Sequence, residues 1–89
     1  MQNPLQELRE RTLGLTLGEM AEALGVGYHR WYSAERNGAA VPHKARAALA
    51  ELGVNVPELL ARQAAWLEAR ATERRAELRE RLAAAEVVA

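Results

Sequence analysis

The sequence has 89 residues, of which 49% are hydrophobic and 27% are charged, so it fits one small folded domain and excludes wholesale disorder. The absence of cysteine excludes disulfides and thiolate chemistry, and the equal numbers of acidic and basic side chains give no direct sign of a nucleic-acid partner. No apolar run approaches the roughly 18 residues of a membrane span and the N-terminal stretch lacks signal-peptide features, so we expect a cytoplasmic protein without a membrane partner.

The first predicted helix begins at Asn3 and Pro4, which are typical of an N-cap and of the first helical position. It is expected to run through about Thr12 and to end at Gly14. Neither this segment nor any later one shows the alternating pattern of a strand, and helix signals recur instead. The sequence therefore predicts an all-α fold.

The second predicted helix opens with a capping box. The Thr16 hydroxyl can accept from the backbone amide of Glu19, and the Glu19 carboxylate can accept from the backbone amide of Thr16. The helix is expected to run to Leu24 and to end at Gly25, because glycine adopts the left-handed conformation at low cost.

Two further helices are predicted before residue 55. The third spans roughly residues 28–36 and is stopped by Asn37 and Gly38. The fourth opens at Pro42 and is closed by Gly53. Its apolar side is expected to consist of Ala45, Ala48, Leu49 and Leu52.

The last predicted helix starts at Asn55 and Glu58 and continues to about Glu86 without glycine or proline after its first turn. Its roughly 30 residues, at about 1.5 Å each, would span about 45 Å, so a small domain cannot cover all of it and part must project. We predict two parts, a helical domain at 1–54 and a long helix at 55–89.

Two short helices joined by a glycine-containing turn form a helix-turn-helix unit, and the second and third predicted helices have this arrangement. Residues of differing chemistry recur around them at fixed spacing, namely Gly14-Leu15-Thr16, Glu19-Met20-Ala21, Leu24-Gly25-Val26, Glu35, Asn37-Gly38 and Val41-Pro42. With these residues, the stretch from about 5 to 54 resembles the Cro/cI-type repressors, also called the XRE family of helix-turn-helix proteins.

The resemblance implies a sequence-specific regulator of transcription, typically a repressor, that binds a palindromic site in double-stranded DNA as a homodimer and needs no cofactor. It also implies that residues 1–54 form a helix-turn-helix DNA-binding domain of four to five helices, whose third helix would lie in the major groove. Carried over position by position, the DNA-binding residues would be Thr16, Leu17, Gly27, Tyr28, His29, Arg30, Tyr32, Ser33, Arg36, Asn37 and Lys44, with His43 and Arg46 beside them.

The sequence departs from the family pattern at two places. Leu17 stands where the family often has glutamine, and leucine cannot donate a side-chain hydrogen bond to phosphate. The family usually pairs the acid at Glu35 with an arginine on the first helix, but that position holds Glu10, with Arg9 and Arg11 on either side. Either the first helix is shifted by one residue or the pair is rearranged.

Three of the four aromatic residues lie in the third predicted helix. Trp31 is expected in the core. Tyr28 and Tyr32 are four residues apart and share one face of the helix. Each either packs its ring with a solvated hydroxyl, or contacts a phosphate group or a thymine methyl group of DNA.

No residue pattern indicates an enzyme. The only histidine besides His29 is His43, and neither cysteine nor aspartate is present to complete a zinc site. Ser33 has no neighbouring base of the kind that activates a nucleophile. We therefore expect no catalysis, no metal, no cofactor and no small-molecule ligand.

The long helix carries a narrow, alanine-rich apolar stripe that predicts homodimerisation. Trp66 is expected to be exposed beside this stripe, where a large apolar side chain favours a partner. The alternatives are that the helix folds back on its own domain or remains a solvated single helix. The predicted dimerisation residues are Leu60, Ala64, Trp66, Leu67, Ala71, Leu78 and Leu82.

A different class of function remains open from the sequence. The helix-turn-helix shape also serves as a protein-interaction adaptor, in which Tyr28 and Tyr32 would contact a protein. A phage packaging or plasmid-partition protein could use the same unit. A positive strip around residues 28–33 would favour DNA, and a neutral apolar patch would favour a protein partner.

Overall fold

The computed structural model describes residues 2–85, all of whose regular structure is helical, so the predicted all-α fold is confirmed. The elements are α1 (Pro4–Glu7), a π-helical segment (Leu8–Leu13), α2 (Leu17–Leu24), α3 (Tyr28–Asn37), α4 (His43–Glu51) and α5 (Val56–Ala85). None of these helices is both long enough and apolar enough to cross a membrane. The prediction that the last helix continues to Glu86 lies outside the described residues.

The first helix is less regular than the sequence predicts. Its start is confirmed, because the side-chain oxygen of Asn3 accepts a hydrogen bond from the backbone amide of Leu5 at 2.8 Å. From Leu8 to Leu13, however, the backbone is π-helical, and the amide of Gly14 donates to the carbonyl of Arg9, five residues earlier. Such a turn holds one more residue than an α-helical turn, so it shifts the register of the helix by one residue.

The helices α2 and α3 are joined by a three-residue turn, as predicted. Both hydrogen bonds of the Thr16–Glu19 capping box are present, at 3.1 and 2.9 Å. Gly25 has a φ of 68°, in the left-handed region, and the amide of Val26 donates to the carbonyl of Ala21 at 3.0 Å. These local contacts fix the orientation of α3 relative to α2.

Two buried side chains bind the carbonyl groups at the end of α3. The amide group of Asn3 donates to Ala34 and Glu35, at 3.3 and 2.9 Å. The amide group of Gln63, on α5, donates to Ala34 at 3.2 Å. The last carbonyls of a helix lack partners within it, so α1 and α5 both hold α3 by satisfying them.

The core lies where α2 and α3 meet α1, α4 and the start of α5. Trp31 is fully buried, as predicted. The prediction for Leu52 is wrong, because this side chain is 69% exposed. The helix α4 ends at Glu51, and Val54 packs against the core in place of Leu52. The buried apolar cluster is Leu5, Met20, Ala21, Leu24, Trp31, Ala34, Val41, Ala45, Leu49 and Leu59.

The long helix α5 divides into a packed half and a solvated half. Its 30 residues confirm the predicted length, and the molecule measures 54 × 23 × 23 Å. Every residue from 72 to 85 is exposed, and we call this part the projecting segment. The first half of α5 packs against α1 and α4.

The expectation that Trp66 is exposed is wrong, because it is only 8% exposed and lies within its own domain. Leu60 packs against the core. Leu67 lies against Gly38, so closely that a Cβ atom added to Gly38 would overlap with the Cδ2 atom of Leu67. One side of the predicted dimerisation stripe is thus already occupied by the domain. Its other members are Ala64, which is exposed, Ala71, which is partly buried, and Leu78 and Leu82, which are each 50% exposed.

Candidate nucleic-acid interface

Most of the predicted DNA-binding residues lie on one connected part of the surface, formed by the α2–α3 turn, α3 and the start of α4. The exposed ones are Thr16, Gly27, Tyr28, His29, Arg30, Arg36, Asn37 and Lys44, together with His43 and Arg46. Tyr32 and Ser33 are partly buried, and Leu17 packs partly against the core. The structure therefore gives Leu17 a packing role, in keeping with its lack of a side-chain donor.

Three aromatic side chains and the guanidinium group of Arg36 form a continuous row along α3, which we call the ladder. The rings of Tyr28 and Tyr32 are stacked, with their centroids 6.1 Å apart and their planes at 17°. His29 meets the edge of Tyr28 at 5.8 Å, and the guanidinium of Arg36 lies 5.7 Å from the centre of the Tyr32 ring. Tyr28, Tyr32 and Arg36 follow the i, i+4 spacing of a helix face, and His29 is the next residue after Tyr28, so the ladder is a direct consequence of the sequence.

The buried carboxylate of Glu35 is bound by Arg9. Two nitrogens of the guanidinium donate to its two oxygens, at 2.8 and 3.0 Å, and a third donates to the carbonyl of Leu15 at 2.9 Å. The hydrogen bond to Glu35 raises the pKa of Arg9 above its ordinary value. Of the open alternatives, the shifted helix is the one observed, because the π-helical turn brings Arg9 to the position opposite Glu35.

This ion pair has a consequence for the surface charge around α3. Between residues 23 and 50, Glu35 is the only acidic residue, and it is 4% exposed. The basic residues of the same stretch are all exposed, and they are Arg30, Arg36, Lys44 and Arg46. The chain is neutral as a whole, but the exposed charges of this stretch are all positive.

The N-terminus of α2 offers less to an anion than the family resemblance implies. The carboxylate of Glu19 accepts from the amide of Thr16, and this hydrogen bond lowers the pKa of Glu19. A phosphate group at this helix end would therefore meet a negative charge. The positive end of the α2 dipole favours an anion, but Glu19 already compensates it.

A cleft of about 520 Å³ lies between α3 and the loop that leads to α4. The cleft is lined by Arg30, Ser33 and His43 and by the apolar loop residues 39–42. Lys44 lies near the α2–α3 turn, where its Cε would be 3.1 Å from a Cβ placed on Gly25. Side chains with hydrogen-bond donors therefore lie around the exposed side of α3, and they are Arg30, Ser33, His43 and Lys44.

Comparison of the chain with protein-family models, with curated proteins and with solved structures found no match. Within residues 2–85, no three histidine or carboxylate side chains are grouped so that they could hold a metal ion. The functional groups that the surface around α3 offers are hydrogen-bond donors, aromatic rings and positive charges.

Sequence reasoning missed the residues of α5 that face the end of α3. Gln63 holds a carbonyl of α3, and the guanidinium of Arg70 lies 4.7 Å from the centre of the Trp66 ring. The helical spacing of Leu59, Gln63 and Trp66 places all three on one side of α5. This spacing can be read from the sequence. It identifies α3 as the contact of these residues only when Trp66 is known to be buried.

Proposed function

We propose that the protein is a sequence-specific double-stranded DNA-binding regulator of transcription that acts in the cytoplasm as a repressor. The helix α3 would lie in the major groove, as the resemblance to the XRE family implies. The observation that carries the proposal is the charge distribution. The one acidic residue between residues 23 and 50 is buried against Arg9, so this stretch meets DNA with positive charges alone.

The start of α3 supplies the residues best placed to contact base edges. Gly27 has no side chain and is exposed, so the backbone there can approach DNA closely. Arg30 can donate two hydrogen bonds to a guanine, and Ser33 can bond to any of several bases. The exposed edge of Tyr28 can pack against a thymine methyl group.

The surrounding cations would bind phosphate groups and set the register of α3 on the duplex. Arg36 lies at the end of α3, and Lys44 and Arg46 lie on the first turns of α4. Each cation that neutralises a phosphate contributes about 0.9 to the slope of log affinity against log salt concentration. A single domain with so few cations would bind DNA weakly.

A homodimer would compensate for this weakness, because two linked domains share one palindromic site. Leu78 and Leu82 lie four residues apart on the projecting segment and are each 50% exposed. They are the large apolar residues of the predicted stripe that the domain leaves free to meet a second copy. We therefore assign dimerisation to the projecting segment rather than to the whole of α5.

The proposal is tested by measuring affinity for a labelled duplex over a series of salt concentrations. We expect Arg36→Ala, which removes a proposed phosphate contact, to weaken binding and to reduce the salt slope by about 0.9 for each subunit bound. The matched control is Arg62→Ala, which removes the same charge from the packed half of α5, away from α3 and from the projecting segment, and should change neither value. Equal behaviour of the two variants, or no salt-dependent binding by the unmodified protein, would refute the assignment of α3 to DNA.

The second candidate is a protein-interaction adaptor. The apolar loop residues 39–42, which line the cleft, favour this function. The 520 Å³ cleft would accept a side chain of a partner protein beside Arg30. A partner would be expected to bind with a weak dependence on salt. If Ala40→Trp, which would fill the cleft, left DNA affinity unchanged but abolished capture of a defined protein partner, the adaptor function would replace the regulator.

A further inference from the structure

Two arginines from different helices line the same two clefts where the end of α3 meets α5. Arg36 and Arg70 both line a cleft of about 400 Å³ that extends toward the projecting segment. The same two residues line a second cleft of about 380 Å³ that extends toward Gln2 and Gln6. They therefore stand together at the boundary between the two clefts.

Each guanidinium is positioned by an aromatic ring of its own helix. Arg36 lies over Tyr32 at 5.7 Å, and Arg70 lies over Trp66 at 4.7 Å. A guanidinium that rests with its face on a ring keeps the donors along its edges available. Because part of the side-chain freedom is already lost, binding an anion there costs less entropy than at a free arginine.

No carboxylate in the described part of the chain lies within ion-pair distance of either guanidinium. Glu35 is bound to Arg9 at 2.8 Å, and Glu77 is bound to Arg74 at 2.8 Å. Glu73 also lines the larger cleft, but it forms no ion pair there among the described residues. The smaller cleft, toward Gln2 and Gln6, is lined by one carboxylate, that of Glu35, which is already bound to Arg9. An anion on this side of the two guanidinium groups would be attracted by both of them.

We propose that Arg36 and Arg70 form a phosphate-binding site, which takes a backbone phosphate of the DNA bound by α3. This inference rests on the proposed function. The guanidinium forks of two arginines match the oxygens of a single phosphate group. The ladder along α3 leads from His29 to Arg36, so the site continues the proposed DNA interface onto α5. Gln63 and Trp66 fix α5 at this place.

The test compares Arg70→Gln with Arg62→Gln, which makes the same chemical change on the packed half of the same helix but away from the site. We expect Arg70→Gln to lower affinity for a labelled duplex about tenfold at 50 mM salt and to reduce the salt slope by about 0.9 for each subunit bound. Arg62→Gln, whose exposed contact with Glu7 is 3.9 Å long, should match the unmodified protein. Arg70→Lys should recover the salt slope but not the full affinity, because lysine keeps the charge without the planar fork.

The outcomes separate this site from the proposed function. If Arg30→Ala weakens DNA binding while Arg70→Gln and Arg62→Gln behave alike, the phosphate site is overturned and DNA binding by α3 stands. If the unmodified protein does not bind DNA, the proposed function fails, and titration with inorganic phosphate, followed by NMR of the arginine Nε–H groups, tests the site by itself. Shifts at Arg36 that disappear in Arg70→Gln support it, and unshifted signals overturn it.

Discussion

The stretch around α3 and the projecting segment are both rich in cations but arrange their charges differently. Between residues 23 and 50 the acidic residue is inside, bound to Arg9, and the basic residues are outside. Between 72 and 85 the acidic and basic residues are all exposed, and Arg74 pairs with Glu77 on the surface. Although the whole chain has a net charge of zero, residues 23–50 expose four positive charges and no negative one, whereas residues 72–85 expose four positive and three negative charges.

The largest expected effect concerns the projecting segment as the proposed dimer contact. Replacing both Leu78 and Leu82 with glutamate should yield a monomer and lower the affinity for a palindromic site about 100-fold or more, because the linked second domain is lost. Sedimentation and operator binding measure the two effects. Ending the chain after residue 71 should give the same result with the domain still folded, since the packed half of α5 is retained. A dimer that survives both changes would contradict the assignment.

The buried and exposed ion pairs should differ strongly in their contribution to stability. Arg9→Met leaves the Glu35 carboxylate buried without a partner and should lower the free energy of unfolding by about 3–5 kcal/mol. Glu77→Gln breaks the exposed pair with Arg74 and should change it by less than about 1 kcal/mol. Urea denaturation of both variants provides the comparison. Similar losses in the two variants would mean that the buried pair does not hold α1 to α3.

The contact between α3 and the packed half of α5 can be tested at Gly38, which has a φ of 70° and lies against Leu67. Gly38→Ala should cost about 2 kcal/mol, from the left-handed backbone and from the overlap with Leu67. Gly53→Ala, at a φ of 90° with open space around it, should cost only the backbone part of about 1 kcal/mol. In a Leu67→Ala background the two costs should become equal in thermal denaturation, and a persisting difference would rule out the overlap.

The smallest expected effect is on the capping box of α2. Because the hydrogen bond from Thr16 lowers the pKa of Glu19, the ionised carboxylate stabilises the fold above the ordinary value of 4.5, and this contribution is lost as pH falls through the lower, folded-state pKa. Glu19→Gln should therefore be slightly less stable than the unmodified protein at pH 7 and equal to it in strong acid. A gap in melting temperature that is constant from pH 7 to pH 2 would contradict this.

Local sequence signals were sufficient for most of the helix boundaries. The capping box of Thr16 and Glu19 involves residues three apart, and Gly25 and Gly38 close their helices at positive φ, as predicted. Trp31 was assigned to the core from its position in the third helix, and it is fully buried. Each of these features depends on neighbours along the chain, which is why the sequence is enough.

Features that depend on contacts between distant segments were not predicted. The burial of Trp66 requires α5 to lie against α1, and the pairing of Arg70 with Arg36 follows from that packing. One sequence feature indicated the π-helical turn. The family pattern places the partner of Glu35 at the position of Glu10, one residue away from Arg9, which is the partner in the structure. The buried ion pair between Arg9 and Glu35 accompanies this turn, and a contact between residues 26 positions apart cannot be predicted from local propensity.

The central claim is that α3 recognises a DNA sequence, and the most direct measurement is selection of bound sequences from random duplex DNA. We expect enrichment of a palindromic sequence whose half-sites are about one helical turn, roughly 10 base pairs, apart. In a parallel selection with Arg30→Ala, the preference within each half-site should weaken. Recovery of sequences indistinguishable from the starting pool by the unmodified protein would contradict the claim.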